Sequence, residues 1–184
     1  MRHYKSRRGI AVHEAGHAVA CLALDICFSE VAIFTSPKMS GRGVMCYGAV
    51  IVEKGSIYPA IHLAMSSLAG PIAEAKYKKK SLVSVALSGG LEDFKDAEES
   101  LAVSQYNYEL IEQETKKLVA LYWHEIVSVA DALMLHGTLG RGAVAMLAPL
   151  ACDCKETEEY NHISRIIPYR AKQRWENALT KSAR

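Results

Sequence analysis

Five consecutive residues near the start, His13-Glu14-Ala15-Gly16-His17, constrain this chain more than anything else in it. On a helix, the two imidazoles lie one turn apart and point the same way, so they can grip a single metal ion. The carboxylate between them is not needed as a ligand. Glu14 is placed instead to take a proton from a water activated by the metal. That is the chemistry of a zinc hydrolase, most often a peptidase. Ile10, Ala11, Val12, Ala15, Ala18, Val19, Leu22 and Leu24 leave hardly any polar face, which predicts a buried helix. Ionisable groups on such a helix are expensive unless something pairs with them, and a metal ion pairs with all three.

A chain of 184 residues, half of them hydrophobic, suits one domain with a sizeable core, here placed at 1–154, followed by a polar tail at 155–184. The formal charge of +2 calls for neither nucleic acid nor an acidic membrane as partner. Arg2, Lys5, Arg7 and Arg8 precede a long apolar run, the layout of a signal peptide, but His13, Glu14, His17 and Asp25 interrupt that run. No other uninterrupted stretch is long enough for a membrane span. The expectation is a cytoplasmic protein without membrane insertion. Its five cysteines have no disulfide-scaffold spacing and are read as free thiols. Cys152-Asp153-Cys154 lacks a second pair to complete a zinc knuckle.

Read in order, Ser6 caps a first helix over Arg7 to Asp25. Val31 to Thr35 is a short strand closed by Ser36-Pro37, and Val44 to Val52 is a second. The two pair in a small antiparallel sheet with an open edge, and everything after Gly55-Ser56 reads as helical. Ser56 to Tyr77 has helical spacing, with a kink or close packing expected at Ala69-Gly70-Pro71. Lys76 to Lys80 reads as a solvated helix end. Leu82 to Leu87 is strand or helix. Ser88-Gly89-Gly90 breaks the chain, and a helix starts near Leu91. Asn107 to Leu135 forms one long amphipathic helix stopped by His136-Gly137. A last helix runs from Gly140 to Cys152, and the tail beyond it, with Pro168 and Trp175, is helical or partly disordered. The fold class is α+β, predominantly helical, with its small sheet directly after the metal helix.

Two histidines leave a catalytic zinc one protein ligand short. Candidates for the third are Glu74, Glu92, Asp93, Asp96 and the other histidines. A carboxylate just after the Gly-Gly break, opening a helix that packs inward, is best placed, and Asp93 and Asp96 both fit. Taken together, His13-Glu14-Ala15-Gly16-His17-Ala18, the two-strand segment after it, Leu68 to Glu74 and Ser88 to Phe94 resemble the peptidase domain of FtsH-type membrane-anchored AAA proteases. The resemblance covers about residues 7 to 150. It implies a zincin-like peptidase fold and a Zn2+ ion held by His13, His17 and Asp93. It also implies Glu14 as the base, and Glu74 as an acceptor that orients a ligand histidine. The family's ATPase motif and membrane anchor are not in this sequence, so the peptidase is expected to act without ATP.

The reading that follows is a zinc metalloendopeptidase cleaving peptides or unfolded segments. Two rivals stand beside it: a catalytically silent interaction module of the same fold, and a zinc hydrolase acting on a non-peptide amide. Substrate is expected along the free edge of the sheet at Gly43, Val44, Met45 and Cys46, where main-chain hydrogen bonds hold an extended peptide without demanding a sequence. His124-Glu125 lacks a second histidine at Ser128 and reads as a surface pair. His62 reads as a core histidine, and Tyr47 and Tyr58 as packing residues.

Overall fold

In the computed structural model, residues 6–39, 45–52, 58–102 and 104–150 are described. The chain is predominantly helical with one small antiparallel sheet, an α+β arrangement. The tail expected at 155–184 and the Cys152-Asp153-Cys154 pair lie outside the described residues.

The first helix, α1 (Arg7–Ala23), opens where expected: the Ser6 hydroxyl accepts from the Gly9 amide at 3.1 Å. It closes two residues before Asp25. Asp25 takes a left-handed conformation (φ 57°), and the Ile26 amide reaches back to the Cys21 carbonyl at 2.8 Å. This is a Schellman-type stop with aspartate in the position glycine usually fills. Nearly every residue of α1 is buried, so the helix forms the axis of the core.

The sheet is larger than the sequence pattern indicates. Strand β1 (Phe28–Met39) runs straight through Ser36-Pro37 instead of ending there. It is able to do so because its pairing with β2 (Met45–Val52) is irregular between Ile33 and Lys38. In that interval five steps along β1 face two along β2, so Pro37, which has no amide hydrogen, sits where no regular ladder bond is required. A third strand, β3 (Thr138–Gly140), pairs with the other side of β1, giving the order β2-β1-β3. The expectation that everything after Gly55 is helical is therefore corrected. Three residues following a helix stop carry no alternation to read, and β3 exists only because β1 offers it a partner. Strand β2 lies at an edge of the sheet.

Helix α2 (Ala60–Lys78) begins after Pro59, later than the expected Ser56, and continues through Pro71 without a break. Of the two expectations at Ala69-Gly70-Pro71, close packing is the one observed. A Cβ added to Gly16 of α1 would stand 2.7 Å from the Ala69 carbonyl oxygen, so the two helix backbones touch. The segment 82–87 is helical: a short α3 (Leu82–Val85) leads into a π turn over Ala86–Gly90 and then α4 (Leu91–Leu101). Gly89 has φ 120°, a conformation glycine alone adopts without strain, and it re-aims the chain at the start of α4.

The expected single helix from Asn107 to Leu135 is two helices, α5 (Tyr108–Leu121) and α6 (Trp123–His136), bent by 72° at the buried Tyr122. Helix α5 packs on α2 and α6 packs on α1. One straight rod would not bury both apolar faces. Gly137 (φ 76°) stops α6 as predicted. The last helix, α7 (Arg141–Leu147), is shorter than the expected Gly140–Cys152. Among the described residues no single helix is long and apolar enough to cross a membrane.

Candidate metal centre and active site

The two histidines of α1 face α2 and α4. On His17, Nδ1 donates to the Ser66 carbonyl of α2 at 2.7 Å. On His13, Nδ1 lies 2.9 Å from Oε2 of Glu74, a residue with no solvent exposure at all. A carbonyl and a carboxylate only accept, so both Nδ1 atoms carry a hydrogen, and each ring turns its Nε2 to the opposite side. Those two Nε2 atoms approach to 3.1 Å. The Asp93 carboxylate from the first turn of α4 closes the third side, 3.1 Å from His13 Nε2 and 3.5 Å from His17 Nε2.

Three electron-rich groups converging like this repel one another unless a cation sits between them. A proton or a metal ion answers that need. Burial pushes the His13 pKa down, but the neighbouring Asp93 carboxylate, then Glu74 and Glu14, overcome it and lift it to about 10. Burial alone would push Asp93 up, yet His13 and His17 hold it well below the usual carboxylate range. These directions describe a pocket built for positive charge. Among the described residues, His13, His17 and Asp93 are the group whose ligand atoms could hold a metal ion, all lying within 4.8 Å of one another.

Glu14 stays out of that group. It is buried and lies against the edge strand: a Cβ on Gly48 would stand 2.5 Å from its Cγ and from Oε1. Strand β2 thus carries a glycine where the Glu14 carboxylate presses on it, an approach that leaves no room for a side chain.

The structure therefore brings together His13, His17 and Asp93, with Glu74 behind His13 and Glu14 between the metal helix and β2. Asp96, the other carboxylate on α4 that fits the sequence, does not belong to the metal group, and Glu92 pairs with Lys95 on the surface at 3.0 Å. Of the expected substrate residues, Gly43 and Val44 lie outside the described residues, as does the Met45 side chain. The Cys46 thiol donates to the Lys38 carbonyl at 3.3 Å. Cys21, Cys27 and Cys46 are free thiols. No family model matches the chain, and no curated protein matches it.

His62 is a buried core residue whose pKa burial holds below the ordinary value. The Tyr58 hydroxyl accepts from the Cys27 amide at 2.9 Å, a packing role. The basic stretch is not simply a solvated helix end: the Lys78 ammonium donates to Glu74 Oε1 at 2.6 Å. Sequence reasoning also missed what Gly70 and Gly48 do. A Cβ on Gly70 would stand 2.2 Å from His17 Nε2. The only signal for it was the oddity of Gly-Pro inside a helical pattern.

Proposed function

We propose that the chain is a zinc-dependent metalloendopeptidase with a peptidase domain of FtsH-like, zincin type. The observation carrying this reading is the convergence of His13 Nε2, His17 Nε2 and Asp93, each histidine anchored through its far nitrogen, with a carboxylic base on the same helix. Two imidazoles and a carboxylate form the donor set typical of catalytic zinc, which leaves a coordination position open. Zinc bound there would polarise the scissile carbonyl and acidify the attacking water. Glu14 is the group that would accept the proton of the attacking water and return it to the leaving amine. Glu74 and Ser66 keep the histidines in the tautomer that points Nε2 inward. An intact base argues for catalysis over a purely interacting domain, which has no use for Glu14.

Removing the metal tests the reading. Purified protein should contain one zinc per chain and cleave casein or an unstructured peptide, and chelation should abolish cleavage reversibly. Zinc at about 1,000 times its Kd should stabilise the fold by about 4 kcal/mol, visible as a higher Tm than in chelator. Asp93→Ala should lose zinc and activity while Asp96→Ala keeps both. Zinc retained in Asp93→Ala and lost in Asp96→Ala would refute the ligand assignment.

Strand β2 is an edge strand bordering Glu14, which supports an extended substrate adding to it. Met45→Pro removes a main-chain donor near the end of that strand. It should raise KM for peptides, with zinc content and Tm nearly unchanged. An unaltered KM would exclude β2 as the cradle.

A further inference from the structure

We infer that Lys78 is a positioning residue for the metal centre: its ammonium, passing α1 at Gly9, clamps Glu74 so that Glu74 holds His13 in its ligating orientation. The inference rests on the metal reading above and concerns what tunes that site.

Glu74 is wholly buried, and its two oxygens are divided between partners. Oε2 accepts from His13 Nδ1 at 2.9 Å, and Oε1 accepts from Lys78 Nζ at 2.6 Å. Lys78 lies one turn further along α2, the spacing at which a helical side chain leans back over the preceding turn. A lysine at a helix end ordinarily extends into water, and the neighbours of Lys78 are exposed. Lys78 does not follow them, and its side chain is only 19% exposed.

The stem reaches Glu74 by crossing α1 where α1 has no side chain. A Cβ on Gly9 would stand 2.7 Å from Lys78 Cε and 3.2 Å from its Nζ. A glycine in the first turns of a helix costs stability relative to alanine, and at this position it keeps open the path of the lysine.

The arrangement has a chemical consequence. A buried carboxylate is costly without a cationic partner, and Lys78 supplies one on the side away from the metal. Clamping Oε1 also fixes the plane of the carboxylate, so that Oε2 remains on the His13 Nδ1 hydrogen. Hydrogen bonds of that kind orient a ligand imidazole and raise its basicity, and losing one costs typically ~10–100-fold in metal affinity. Lys78 acts through Glu74, so its share should be near the lower end of that range.

The test is the Zn2+ Kd of the full chain, measured by chelator competition, in wild type, Lys78→Met, Gly9→Ala and, as a control, the exposed Lys80→Met. Lys78→Met retains the aliphatic stem and removes the charge. Gly9→Ala leaves Lys78 and Glu74 in place chemically but obstructs the stem, whose flexible end must swing away, while alanine favours the helix. Both variants should bind Zn2+ ~10-fold more weakly, with an altered Co2+ absorption spectrum, in addition to any fall in the metal-free Tm that a Glu74 carboxylate deprived of its cation brings. Lys80→Met should match wild type. Wild-type Zn2+ affinity in both Lys78→Met and Gly9→Ala would overturn the inference and leave the metal reading standing, as would a lowered metal-free Tm with unchanged affinity. Wild-type protein that binds neither Zn2+ nor Co2+ would overturn the metal reading and this inference with it.

Discussion

Glu14→Gln should leave a folded, zinc-loaded protein that no longer hydrolyses peptides. The substitution is nearly isosteric, so the side chain still fits against Gly48, where the clearance is too small for even a methyl group. The metal group His13, His17 and Asp93 does not include Glu14, so zinc content should remain one per chain. What disappears is the ability to accept a proton from the attacking water. General-base catalysis typically contributes ~100-fold or more, which corresponds to about 3 kcal/mol of barrier. The measurement is kcat on an unstructured peptide beside zinc analysis and a melting curve. Equal activity in the variant and wild type would remove the peptidase proposal, because no other residue has been assigned the proton. Loss of zinc together with activity would show instead that Glu14 has a structural share in the site.

The second large effect is expected on α2, at Gly70→Ala. The new methyl would lie 2.2 Å from His17 Nε2 and 2.5 Å from Cε1, inside the ring's own contact radius. The ring is not free to slide aside. Its Nδ1 is tied to the Ser66 carbonyl at 2.7 Å, and its Nε2 belongs to the group that could hold a metal ion. Any escape gives up one or both of those contacts. Alanine is the better helix former by about 1 kcal/mol, whereas overpacking in a filled interior costs ~1–3 kcal/mol. The net cost in stability is about 0–2 kcal/mol, and the larger effect falls on function. The expected signature is a zinc affinity weakened by ~100-fold or more, activity lost with it, and a metal-free Tm within a few degrees of wild type. Stoichiometric zinc bound at wild-type affinity would show that the ring finds another rotamer and that Gly70 is dispensable.

Much of helix α1 was legible in the sequence alone. His13, Glu14 and His17 sit within two turns of one element, and local periodicity determines what shares a helix face. The burial of α1, its Ser6 cap, the stop at Gly137 and the sheet following the metal helix belong to the same class of information. Tertiary structure decided everything that depends on which distant segments meet. Asp93 and Asp96 were equally good by composition, and the difference between them is the direction in which the π turn and Gly89 launch α4 toward α1. The strand β3 was invisible because three residues have no pattern until β1 binds them. The 72° bend at Tyr122 arises because α5 and α6 bury their apolar faces on different helices, although the repeat of apolar residues continues unbroken across the join. Lys78 looked like one of several surface lysines, and only the passage at Gly9 turns it inward to Glu74. In each case the deciding term is a contact between residues far apart in the chain, whose energy no local pattern contains.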